Sequence, residues 1–273
     1  MSNVTLAFLL TLVAGLSTGI GSAIAFFAKK TNTKFLAISL GFSAGVMIYV
    51  SMIEIFPQAQ ETLSAALGSA KLGATATVAA FFGGMFFIAV IDRLIPKEKN
   101  PHETKLVETD AAEVKVGESK GSASKLLRTG LFTALAIAIH NFPEGLATFV
   151  SALQEPSVAV PIVIAIAIHN IPEGIAVSVP VYYATGSKKK AFLYSFASGL
   201  SEPLGAIIGY LVLMPIMNDV VFGSLFAAVA GIMVFISIDE LLPSAREYGE
   251  HHLSIYGMVA GMIVMAISLI LFM

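Results

Sequence analysis

Apolar residues gather along this chain in eight runs of about 17 to 25 residues, the length that carries an α-helix across the hydrocarbon core of a bilayer. The runs extend approximately over Val4 to Ala28, Phe35 to Phe56, Leu72 to Ile95, Leu126 to Ala152, Val158 to Ala184, Ala191 to Met217, Val220 to Leu242 and Ser254 to Phe272. They predict an all-α integral membrane protein of eight transmembrane helices. The first run has no basic residue before it and Lys29 and Lys30 after it. That is the reverse of a signal peptide, and a retained span is expected.

Composition agrees with this reading. Charged residues make up 12% of the 273 positions and mean hydropathy is +0.85, against about 25% charged residues in an average soluble domain. Cysteine is absent, which removes disulfides, thiolate metal sites and cysteine nucleophiles together. Tryptophan is absent as well, so interfacial anchoring falls to seven tyrosines and to Lys or Arg. A formal charge of −2 offers no basic patch for nucleic acid. The distribution of charge is more informative than its sum.

The connections after spans one, three, five and seven hold 15 of the 16 basic residues, and Lys71 alone lies on the opposite face. The positive-inside rule then predicts both termini outside the cytoplasm. The long connection, residues 97–125, mixes six basic with six acidic side chains and few large apolar ones. It reads as flexible cytoplasmic chain. Its one histidine, His102, does not make a metal-collecting loop. The pair His251 and His252 near Glu247 and Glu250 reads as a wet interfacial segment.

Two of the spans carry nearly the same polar insertion. Ala136 to Gly145 reads AIAIHNFPEG and Ala165 to Gly174 reads AIAIHNIPEG. An ionisable side chain at this depth costs about 2.5 to 3.5 kcal/mol or more. A chain that carries the cost twice, in the same letters, uses them. On a helix, His140, Asn141 and Glu144 share a face, as do His169, Asn170 and Glu173. Pro143 and Pro172 cannot donate to the carbonyls of Ile139 and Ile168, which predicts bent helices with free carbonyl oxygens at the motif.

Further matches surround this pair. Gly45, Met47, Ser51, Glu54 and Pro57 of span two recur in span seven, at one constant offset, as Gly231, Met233, Ser237, Glu240 and Pro243. GLSTGIG from Gly15 in span one recurs at a similar offset as GLSEPLG from Gly199 in span six, with Thr18 aligned to Glu202. Spans three and eight show no convincing match. The pattern predicts a 3+2+3 arrangement of inverted repeats, the architecture of secondary transporters with a binding site at the midplane. Small residues alone permit close helix packing, but that does not account for matched glutamates and prolines.

Two antiparallel helices meeting at the motifs would join His140, Glu144, His169 and Glu173 into an N2O2 set suited to Zn2+ or another divalent first-row ion. A second ion would use Asn141, Asn170 and a further carboxylate, for which Glu202 is the candidate. Metal charge would also offset the mutual repulsion of three clustered carboxylates. Met47, Glu54 and Glu240 are accessory candidates. Met47 otherwise reads as packing, Glu54, Asp239 and Glu240 as interfacial or gating charges near span ends, and Asp92 with Arg93 as an interfacial pair.

HNFPEG in span four, HNIPEG in span five, Glu202 and a variable third loop make the whole chain resemble the ZIP (ZRT/IRT-like) family of divalent metal transporters, in its bacterial ZupT-like branch. The resemblance implies uptake of Zn2+, with Fe2+, Mn2+, Co2+ or Cd2+ also accepted, through a binuclear site. One ion would sit on the histidines and glutamates, the second on Asn141, Glu144, Asn170, Glu173 and Glu202. It also implies a homodimer in the cell membrane, the inner membrane of a bacterium. Some relatives hold glutamine and aspartate where this chain has His169 and Asn170, so the charge of the second site differs. Many members have a histidine-rich third loop, and this chain does not.

Alternating access and a selective channel remain open at the level of sequence. An intramembrane metalloprotease would need HExxH with the glutamate as general base, and only HNxPE is present. A nucleophilic hydrolase would need a base and an oxyanion arrangement beside Ser178 or Ser201, for which the chain shows no pattern. No enzyme and no catalytic cofactor is expected; the metal is cargo.

Overall fold

The computed structural model describes residues 3–25, 33–94, 119–154, 156–248 and 251–272, and these are helical with no strand among them. The helices are α1 (Asn3–Ala25), α2 (Thr33–Val50), α3 (Phe56–Ala66), α4 (Ala70–Leu94), α5 (Ser119–Gln154), α6 (Pro156–Thr185), α7 (Lys188–Gly199), α8 (Ser201–Leu213), α9 (Asp219–Ile236), α10 (Leu242–Tyr248) and α11 (His251–Phe272). Among the described residues, six stretches are long and apolar enough to cross a membrane: Asn3–Ala23, Ala37–Ala66, Ala70–Arg93, Lys188–Val212, Asp219–Arg246 and His252–Leu271. The 36-residue α5 and the 30-residue α6 carry the doubled motif. Most of the long third connection, with His102, lies outside the described residues, and α5 begins at Ser119, ahead of the expected Leu126.

Local chemistry sets the connections. Gly68 and Gly186 take positive φ, 63° and 64°, in the turns after α3 and α6, a conformation that costs glycine nothing sterically. Asn218 starts α9 by accepting hydrogen bonds from the amides of Val220 and Val221, each at 3.0 Å, and so satisfies two of the helix's orphan donors.

Two features add to the sequence-based expectations. Pro143 lies inside α5 and Pro172 inside α6, and both helices run without interruption through their motifs. The break falls in span six, at Leu200 between α7 and α8. Pro203 has no N–H to offer the carbonyl of Gly199, so α7 ends there and Glu202 enters the first turn of α8. A carboxylate is favoured at that end of a helix by the macrodipole.

The second feature concerns spans two and seven, which continue beyond Pro57 and Pro243. Between α2 and α3, Ser51–Ile55 forms a π turn in which the Phe56 amide bonds to the Ser51 carbonyl. Between α9 and α10, Ser237–Leu241 does the same, with the Leu242 amide bonding to Ser237. Each proline then sits early in the following helix, where a missing N–H does little harm. Glu54 and Glu240 therefore lie on π turns within long helical stretches and not near span ends. The two turns begin at the matched serines Ser51 and Ser237, so they are related by the offset of the repeat.

Packing divides into two sets. One contains α1, α5, α6, α7 and α8; the other contains α2, α3, α4, α9, α10 and α11. The sets meet chiefly where α2 packs on α6 and α9 on α5. Close backbone approaches repeat across the first set. A Cβ on Gly145 would strike the carbonyl of Glu202, and one on Gly174 would strike that of Thr18. Likewise Gly205 abuts the carbonyl of Phe142, and Gly21 that of Ile171. In each pair of contacts the two members are related by the alignments read from the sequence, the doubled motif onto itself and span one onto span six.

The second set has the same property and supplies the relation missing between spans three and eight. Gly45 on α2 meets the carbonyl of Met258 on α11, and Gly231 on α9 meets that of Phe81 on α4. Gly261 meets the carbonyl of Phe42, and Gly84 that of Ala228. Gly84 thus corresponds to Gly261 and Phe81 to Met258, and a single offset relates both pairs. Sequence comparison misses this because the shared requirement is a small residue opposite a carbonyl, and neighbouring apolar side chains such as Phe82, Val259 and Ile263 are exposed.

Candidate metal site

The doubled motif lies where α5 and α6 pack against each other, with α1 and α8 alongside. Asn141, Asn170, Glu173 and Glu202 are fully buried, and Glu144 is 2% exposed. Such burial is untenable for carboxylates without compensating charge or donors. Glu202 lies within electrostatic reach of both Glu144 and Glu173, so three acids from three helices converge on one region.

Asn170 ties this region together. Its Nδ2 donates to Glu202 Oε1 and lies 3.0 Å from the carbonyl of Ala14 on α1. Asn170 Oδ1, Glu202 Oε2 and both side-chain polar atoms of Asn141 have no hydrogen-bond partner among the described residues. A buried polar atom left without a partner costs about 1 to 3 kcal/mol. Amide and carboxylate oxygens of this kind are hard donors that fit a divalent cation.

His140 and His169 stand on α5 and α6 one residue before Asn141 and Asn170, but their side chains lie outside the described residues. Among the described residues, no three His, Asp or Glu side chains close on a single metal position. The described part of the site is therefore the oxygen-rich part.

The accessory candidates separate. Met47 is fully buried in the main hydrophobic core. Glu54 is partly buried on its π turn, and its carboxylate is not among the charges that act on Glu202 or Glu240. Glu240 is 5% exposed and lies within electrostatic reach of Glu173, Asp92 and Asp239. Carboxylates thus extend from the motif toward the Asp92 end of α4. Asp92, expected beside Arg93 at an interface, belongs to this acidic group. In the weak histidine pair, His252 is exposed and stacks near Tyr256 at 6.2 Å; Glu250 and the side chains of Glu247 and His251 lie outside the described residues.

Two polar links at the site have no counterpart in the sequence reading. Ser43 on α2 places its hydroxyl 3.5 Å from Glu173 Oε1. Ser195 on α7 donates to the carbonyl of Gly174 at 3.0 Å and stands 2.6 Å from the hydroxyl of Ser22 on α1. Single serines among small residues give no periodic signal, and only the fold brings them to the motif.

Comparison with known proteins covers almost the whole chain. Residues 4–269 match the family model described as ZIP zinc transporter. A zinc transporter ZupT of Clostridium perfringens is 66% identical over 100% of this chain and 98% of its own length. One from Streptococcus mutans is 67% identical over 97% of each, and one from Oceanobacillus iheyensis is 63% identical over 99% of each. With the asparagine and glutamate of both HNxPEG motifs buried near Glu202 and a family match from residue 4 to residue 269, the chain belongs to the ZIP zinc transporter family.

Proposed function

We propose that this multi-pass membrane protein takes up divalent metal ions into the cytoplasm, with Zn2+ the principal cargo and Fe2+, Mn2+, Co2+ and Cd2+ also accepted. It is a transporter and not an enzyme. The observation that carries the reading is that Glu202 lies within electrostatic reach of Glu144 and Glu173 and bonds to Asn170 inside an apolar bundle, with Asn141 buried on the same helix as Glu144. His140, Glu144, His169 and Glu173 would hold one ion, and Asn141, Glu144, Asn170, Glu173 and Glu202 a second. The full-length relatives named as zinc transporters support the choice of cargo.

The eight spans then form a 3+2+3 inverted repeat, with α5 and α6 as the central two and both termini outside the cytoplasm. The paired π turns and the paired glycine approaches support the repeat. Transport proceeds by alternating access: the set that carries the motif moves against the set built on α2, α4, α9 and α11, exposing the site to each side in turn. Glu240, Asp239 and Asp92 mark an acidic route between the site and one membrane face. The protein works as a homodimer in the cell membrane.

Purified protein in liposomes is expected to admit Zn2+ to a trapped fluorescent indicator, with the other four ions competing. His140→Ala is expected to reduce that flux at least about tenfold, since even the groups that orient metal ligands are worth about 10- to 100-fold. Equal flux in empty liposomes and in those carrying the wild-type protein would refute transport, and wild-type flux in the variant would refute the histidine assignment.

A further inference from the structure

Ser43 stands on α2, in the set of helices that does not carry the doubled motif. Its hydroxyl is nevertheless 3.5 Å from Oε1 of Glu173 on α6, and both residues are fully buried. That separation is at the long limit of a hydrogen bond. A small displacement of α2 along α6 makes or breaks it. The contact is therefore sensitive to the alignment of the two sets in a way that contacts within either set are not.

The position that corresponds to Ser43 in the repeat carries no hydroxyl. In the alignment of span two onto span seven, Ser43 corresponds to Val229 on α9, and within the doubled motif Glu173 corresponds to Glu144 on α5. Val229 is 1% exposed and has no hydroxyl to donate. Inverted repeats exchange packing when the site changes sides, so the alignment in which α2 meets the motif glutamate offers a hydroxyl at a position where its mirror alignment offers a valine.

We propose that Ser43 is a positioning residue for the transported ion: by donating to Glu173 Oε1 it orients the carboxylate toward the metal and favours loading in one alignment of the two helix sets. The inference rests on the transport reading above and assigns a role within that site to a residue outside the motif. Loss of one net hydrogen bond is worth about two- to tenfold in an equilibrium constant. The expected effect is therefore on apparent affinity and not on the maximal rate.

The test is Zn2+ flux into liposomes at varied Zn2+ for the wild type and for Ser43→Ala, Ser43→Val, Ser43→Thr and Glu173→Ala. Ser43→Ala and Ser43→Val are expected to raise KM about threefold or more with a maximal rate close to wild type. Ser43→Thr, which keeps the hydroxyl, should restore KM. Unchanged KM in the Ala and Val variants overturns the proposal, as does a Thr variant as impaired as Val, which would make the position one of packing only. A fall in maximal rate without a change in KM also overturns it. Should Ser43→Ala fail to fold, Ser43→Cys retains the volume with a weaker donor, and an unchanged KM there counts against the proposal. Wild-type kinetics in Glu173→Ala would reject the site itself, a result distinguishable from a silent Ser43.

Discussion

Glu144→Ala and Glu173→Ala are each expected to lower Zn2+ flux by at least about a hundredfold, the upper range for groups that only support metal ligands, while the protein remains folded. Both carboxylates are buried, and both lie within electrostatic reach of Glu202. Removing either takes away a ligand from both proposed ions at once. It also lessens the repulsion among the three acids, so stability in detergent should hold or rise. Zn2+ binding by calorimetry and thermal unfolding, measured on the same preparations, separate the two effects. Flux lost together with fold would count against a ligand role, whereas flux lost from a protein at least as stable as wild type supports it.

Gly145→Val and Gly174→Val should be among the changes near the site that cost most in folding. Each added side chain meets a backbone carbonyl, Glu202 in one case and Thr18 in the other. A carbonyl within a packed helix cannot rotate away, so the helices must separate. Overpacking of this kind typically costs about 1 to 3 kcal/mol, and here it also moves α5 from α8 or α6 from α1, the contacts that bring Glu202 to the motif. Gly83→Val is the matched control, since a Cβ there meets nothing within 4 Å. The expected result is a lowered unfolding midpoint and a larger aggregated fraction for the Gly145 and Gly174 variants, with Gly83→Val close to wild type. Equal behaviour of all three would mean that the close approaches do not exist in the membrane.

Buried His, Asn and Glu are costly wherever an apolar span places them. That cost depends on local composition, so HNFPEG and HNIPEG stand out on inspection. Glu202 is visible for the same reason. Ser43 is not, because serine carries little penalty in a helix and its meaning comes from Glu173 across the boundary between α2 and α6. Glu240 is visible as a charge, but Pro243 reads as a span end and places it too far out. The π turn at Ser237–Leu241 lets the helix continue to Tyr248 and carries the carboxylate inward.

By itself, then, the sequence determined the membrane class, the polar motif and most of the internal matches at constant offset, because hydrophobic run length and the cost of an intramembrane charge are properties of a segment. Tertiary structure decided the rest. Pro143 and Pro172 leave their helices uninterrupted whereas a helix ends ahead of Pro203, so a proline in the sequence does not by itself decide where a span is broken. The match between α4 and α11 depends on small residues facing carbonyls of α9 and α2. The donor beside Glu173 comes from a helix far from it along the chain. No window of sequence contains those relations, since each is a distance between segments that the pattern of hydrophobicity leaves free.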